Sequence, residues 1–125
     1  MTPFGAAVQE LRRRKGVSQK EMAEAIGVSA AYLSALEHGR RGAPSFEFLQ
    51  RVAGFFNVIW DEADDLFRLA RLSDPRVVID AAGLSAAHLA FLNRLKAEFR
   101  EIPASVIAEM EEVLEKRRFP DKEER

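Results

Sequence analysis

Apolar positions recur at helical spacing along most of the chain, and the residues between them are those that start and stop helices. Phe4, Val8 and Leu11 repeat behind Thr2-Pro3, a threonine cap with proline at the first helical position, and residues 12–15, all basic, close that helix before Gly16. Ser18-Gln19-Lys20-Glu21 spells a capping box, in which Ser18 and Glu21 satisfy each other's backbone donors; Met22, Ala23 and Ile26 point inward and Gly27 ends the helix. Ser29 caps a third helix over 30 to about 38, closed by Gly39. Only Gly27 and Val28 precede that cap, so these two short helices must meet at a steep angle. A basic loop, Arg40-Arg41-Gly42-Ala43-Pro44, leads to Ser45, which caps a fourth helix reaching about residue 56. Trp60-Asp61 opens a fifth, to about residue 72, with acids in the first turn where the helix dipole favours them.

These segments predict an all-α fold: a five-helix domain over 1–72 with Phe4, Val8, Leu11, Met22, Ala23, Ile26, Leu33, Leu36, Leu49, Val52, Phe56, Leu66 and Phe67 as its core. Trp60 and the Phe55-Phe56 pair are assigned to the core rather than to a ligand platform. Ser73-Asp74-Pro75 reads as a boundary, and 73–84 as a linker or short extra element. Within it, 76–80 is ambiguous, since three β-branched residues favour a strand while Pro75 and Gly83 favour a short helix or irregular chain. Ser85 then caps an amphipathic helix carrying Leu89, Leu92, Leu95 and Phe99 on one face; Pro103 starts another with Val106, Ile107, Met110, Val113 and Leu114. The region 85–115 is therefore expected to be an assembly region, and 116–125 a charged, disordered tail.

Composition then narrows the chemistry. The chain has 125 residues and no cysteine, which removes disulfides, thiolate nucleophiles and cysteine metal sites. His38 and His88 lie far apart, and Asp61, Glu62, Asp64 and Asp65 are explained by their first-turn placement, so no metal or cofactor is expected. Ser85 and His88 lack an orienting acid and an oxyanion site, so no enzymatic activity is expected. No charge-free run is long and apolar enough for a membrane span, and the expected location is the cytoplasm. The net charge of −1 conceals a split: residues 1–60 carry eight basic and five acidic side chains, whereas 61–125 carry eleven and fifteen. The excess of positive charge lies on the part that holds the paired short helices.

That pair has a recognisable pattern. Gln19-x-x-x-Ala23-x-x-x-Gly27-Val28-Ser29, then Tyr32-Leu33-Ser34, Leu36-Glu37 and Gly39-Arg40, closely resembles the signature of the phage-repressor-like XRE family of transcriptional regulators, over residues 4 to about 72. The resemblance implies a lambda-repressor-like DNA-binding domain in which Gln19, Lys20, Arg40 and Arg41 meet phosphates and Arg12 pairs with Glu37. Arg13 and Arg14 join the phosphate candidates by adjacency. With Leu33 and Leu36 turned inward, Ala31, Ser34, Ala35 and His38 face outward and Ala30 and Tyr32 lie at the margins; with Ser29 they are the candidate groove readers. His38 also suits a helix C-terminus. Family members carry glutamine, asparagine or arginine where this chain has Ala30, Ala31 and Ala35. Alanine offers at most a contact to a thymine methyl, so readout would rest on Ser34, Tyr32, His38 and DNA shape.

The expected function is a DNA-binding transcriptional regulator, a repressor acting as a homodimer on a palindromic operator in double-stranded DNA. Leu92, Leu95, Phe99, Ile107, Met110 and Leu114 are the expected interface anchors. Two other readings stay open: an antitoxin-like regulator whose C-terminal helices dock another protein, and a nucleoid-type binder with little sequence preference.

Overall fold

In the computed structural model, which describes residues 1–118, every regular element is a helix. Helices α1 (Pro3–Lys15), α2 (Gln19–Ile26), α3 (Ala30–Glu37), α4 (Phe46–Phe56) and α5 (Trp60–Arg71) build one unit, Met1–Val78. Helix α6 (Ala86–Glu98), a 3-10 turn (Phe99–Glu101) and α7 (Ala104–Arg118) belong to a second, beginning at Ile79.

Short polar side chains set the helix starts. Thr2 Oγ1 accepts from Gly5 N–H at 3.0 Å, Ser29 Oγ from Tyr32 N–H at 3.0 Å and Ser45 Oγ from Phe48 N–H at 3.1 Å. At α2 the capping box is reciprocal: Glu21 N–H donates to Ser18 Oγ at 3.0 Å and Ser18 N–H to Glu21 Oε1 at 3.1 Å. Gly27 ends α2 at φ 81°, a left-handed conformation that turns the chain into α3 within a few residues.

The core of the first unit is Phe4, Val8, Leu11, Met22, Ala23, Ile26, Leu33, Leu36, Phe48, Leu49, Val52, Ala53, Val58, Leu66 and Ala70. Phe48, Val58 and Ala70 were not among the expected core residues, whereas Phe56 and Phe67 are only half-buried and pack against its edge. The clearest departure is Trp60, which is 82% exposed. The inward face of α5 runs through Ala63, Leu66, Phe67 and Ala70, so the ring at the first position of α5 lies ahead of the surface it would have to cover. Ile59 beside it is also exposed.

Residues 76–80 form neither a strand nor a helix. In the second unit Ser85 Oγ accepts from His88 N–H at 3.2 Å and starts α6, and Pro103 C=O receives Val106 N–H at 3.0 Å at the start of α7. Helix α7 continues through Lys116, Arg117 and Arg118, into the segment expected to be a disordered tail; residues 119–125 lie outside the described residues. No described residue from Ile79 onward is buried. Among the described residues no helix is long and apolar enough to cross a membrane.

Candidate nucleic-acid interface

Helix α3 presents small side chains outward and is fixed from behind by a buried charge network. Ser29, Ala30, Ala31 and His38 are exposed, and Tyr32, Ser34 and Ala35 half-buried, while Leu33 and Leu36 lie in the core. The spacing follows from the 3.6-residue period: with Leu33 and Leu36 inward, the remaining positions fall on the open side. His38 Nδ1 lies 2.9 Å from Ser34 O and so closes the last turn of the helix.

Behind that surface, Arg12 of α1 reaches Glu37 of α3 through two hydrogen bonds, Nη1 to Oε2 at 2.5 Å and Nη2 to Oε1 at 3.1 Å. Glu37 is 1% exposed and Arg12 8%, so both charges are withdrawn from water and each depends on the other. Gln19, expected at a phosphate, also turns to this pair: its Nε2 donates to Glu37 Oε1 at 3.4 Å. The last turn of α1, the first residue of α2 and the last of α3 are thereby tied at one carboxylate.

The Glu37 backbone is held as well. Thr2 N–H and Thr2 Oγ1–H both donate to Glu37 C=O, at 3.0 and 3.1 Å. A Cβ on Gly5 would overlap that carbonyl, which explains glycine inside α1 at this position. Phe4 N–H donates to Ser73 Oγ at 2.8 Å, and Ser73 Oγ–H to Leu69 C=O at 2.6 Å, so the start of α1 bridges the ends of α3 and α5. Neither Thr2 nor Ser73 was expected at the site. Arg51 was missed too; its Nη1 donates to Ile26 C=O at 2.7 Å and satisfies the end of α2 at the turn.

The cations sort into two groups. Lys20, Arg40 and Arg41 are exposed, and among the described residues no acid pairs with them. Arg13 instead donates to Glu10 from Nε at 2.9 Å and Nη2 at 2.6 Å, and Arg14 Nη2 lies 3.5 Å from Glu62 Oε1. The hydrogen bond from Arg13 holds the Glu10 carboxyl below its ordinary range, opposed by slight desolvation and reinforced by the charges of Arg13 and Arg14. Both pairs are solvent-exposed and exchangeable for other partners at little cost.

Comparison with known proteins places this geometry. A family model described as helix-turn-helix matches residues 8–62, from the middle of α1 to the start of α5. The HTH-type transcriptional regulator SlrR of Bacillus subtilis (strain 168) is 32% identical over 108 residues, covering 76% of this chain and 69% of SlrR. The chain belongs to the XRE-type helix-turn-helix transcriptional regulators. Within that family, the HTH-type transcriptional regulator SinR of the same organism is 37% identical over 55 residues, 44% of this chain and 50% of SinR. The ImmF control region 10 kDa protein of Bacillus phage phi105 is 43% identical over 55 residues, 44% of this chain and 60% of that protein. The chain thus spans half the length of the SinR relatives it matches. No solved structure matches it. In this helix-turn-helix chain α2, the turn at Gly27 and α3 lie inside the matched span, together with Arg12, Glu37, Lys20, Arg40 and Arg41.

Proposed function

We propose that this chain binds double-stranded DNA with α3 in the major groove and regulates transcription, as a homodimer on a palindromic operator that it represses by occlusion. The observation that carries the reading is the pairing of a small-residue outer surface on α3 with acid-free cations, Lys20 at the start of α2 and Arg40 and Arg41 just past α3. Side chains of that size let the helix approach base edges closely, while the cations at the start of α2 and just past the end of α3 meet the flanking phosphates. Ser29, Ala30, Ala31, Ser34, Ala35 and His38 are the groove-facing set. Gln19, Arg13 and Arg14 stand second to Lys20, Arg40 and Arg41 as phosphate contacts, because each already has a partner within the chain.

The second unit supports the dimer. Its Leu92, Leu95, Ile107 and Met110 are only half covered, and Phe99 and Leu114 are exposed by 53% and 65%. Helices stabilise mainly by burying an apolar face, so this surface is matched by a second copy of itself. A dimer also places two α3 helices on half-sites about 34 Å apart, where the two modest contacts combine. The acidic balance of 61–125 keeps this part off the DNA.

The test is competition of a labelled genomic fragment against bulk DNA at several salt concentrations, with the full chain and with Lys20→Ala and Arg40→Ala. Retention of the fragment over bulk DNA, weakened in both variants, supports the reading. Equal displacement by any DNA favours the nucleoid-type alternative, and no binding with stable capture of one protein partner favours the antitoxin-like one.

A further inference from the structure

The aromatic ring on α3 is engaged from two directions. Arg41 Cζ lies 5.3 Å from the Tyr32 ring centroid, and the Tyr32 ring meets Phe48 edge-on at 5.9 Å with an interplanar angle of 77°. Arg51 continues the run, 5.7 Å from the Phe48 centroid, while its Nη1 holds the Ile26 carbonyl at 2.7 Å. Basic loop, α3, α4 and the last carbonyl of α2 are thus linked through four consecutive side chains. Phe48 is 3% exposed and fixes the run in the core.

Arg41 sits in an exposed stretch next to Gly42, where nothing in the backbone restrains a long side chain. Ordering such a side chain costs rotamer entropy, and a cation held over the half-buried Tyr32 ring meets part of that cost before any ligand arrives. A guanidinium over a ring keeps its in-plane N–H groups at its edges, directed away from the ring and available to two phosphate oxygens; an ammonium lacks that fork. Tyr32 is half-buried, and its ring is committed to this arrangement.

We propose that Tyr32 is a positioning residue rather than a base reader: its ring, braced by Phe48, holds the Arg41 guanidinium at the end of α3 for a DNA phosphate. This rests on the DNA-binding reading above and assigns how one of its contacts is preorganised. It also removes Tyr32 from the base-reading set and leaves direct readout from α3 to Ser34, His38 and the alanine methyls.

The experiment uses the full chain and a duplex carrying the site that this chain selects from a random library. Affinity and its salt dependence are measured for wild type, Tyr32→Phe, Tyr32→Leu, Arg41→Ala and the double variant Tyr32→Leu/Arg41→Ala. Tyr32→Phe is expected to bind within about twofold of wild type, and Tyr32→Leu about fivefold more weakly, with the logarithmic salt slope shallower by about 0.9, as in Arg41→Ala. The double variant should match Arg41→Ala. A Tyr32→Leu loss that keeps the full salt slope and adds to Arg41→Ala overturns the proposal, as does a large loss in Tyr32→Phe. A wild-type chain that selects no duplex overturns the DNA reading itself. Should Tyr32→Leu fail to fold, proton NMR of the wild-type chain decides: Arg41 side-chain protons shifted upfield by the ring support the stacking, and random-coil shifts refute it.

Discussion

Replacing Glu37 by leucine probes the contact that fixes α3 more directly than any other single change. The carboxylate is 1% exposed and receives Arg12 twice and Gln19 once. Its removal strands a guanidinium that is itself only 8% exposed, and breaking a buried pair from one side costs about 3–5 kcal/mol. Small domains are stable by only about 5–15 kcal/mol, so this is a large share. For a unit of this size, a loss of ~3 kcal/mol lowers the melting midpoint by roughly 12–24 °C. Arg12→Leu strands the carboxylate instead, with only the longer Gln19 hydrogen bond, at 3.4 Å, left to it. The double variant Arg12→Leu/Glu37→Leu removes both charges and should be more stable than either single variant. Urea unfolding followed by far-UV circular dichroism at fixed protein concentration measures all four proteins. A Glu37→Leu protein within ~0.5 kcal/mol of wild type, or a double variant that loses the sum of the two, would show that the two buried charges do not depend on each other.

Other substitutions test separate contacts. Gly5→Ala drives a methyl into the Glu37 carbonyl and should cost about 1–3 kcal/mol, with weaker DNA binding because the end of α3 must move; unchanged melting would show that α1 and α3 are not in close register. Ser18→Ala removes one half of the α2 capping box and should cost ~1 kcal/mol, measured by the same unfolding assay. Phe99→Glu places charge in the apolar surface of the second unit and should convert a dimer to a monomer in sedimentation equilibrium, leaving the helicity of the first unit intact. Trp60→Asn should leave stability within about 0.5 kcal/mol, because the ring is exposed and φ 54° suits asparagine better than tryptophan; a loss above ~2 kcal/mol would make the ring a core residue.

Much of this fold was written in short-range signals. Thr2, Ser18, Ser29 and Ser45 each sit beside the helix they start, and Leu33 and Leu36 set the phase of α3, so periodicity and capping chemistry suffice to find them. Trp60 was misplaced because a large aromatic is usually covered, and only the location of Ala63 one turn later reveals that nothing reaches it. The ties from Thr2 to Glu37 and from Phe4 to Ser73 span 35 and 69 residues, and a lone hydroxyl carries no mark of a distant partner. The motif position directs Gln19 outward, yet the geometry also brings its amide to the Glu37 carboxylate. The β-branched run 77–79 remained open from sequence because its strand preference needs a neighbouring strand, and none is present among the described residues.

The proposed dimer brings two copies of α3 to one operator. Selection of the full chain on a random duplex library, followed by light scattering of the complex with the enriched duplex, tests it most directly. Paired α3 helices predict an inverted repeat with half-site centres about one helical turn apart and two chains on each duplex. A single asymmetric site holding one chain, or a library that gains no common sequence, would contradict it.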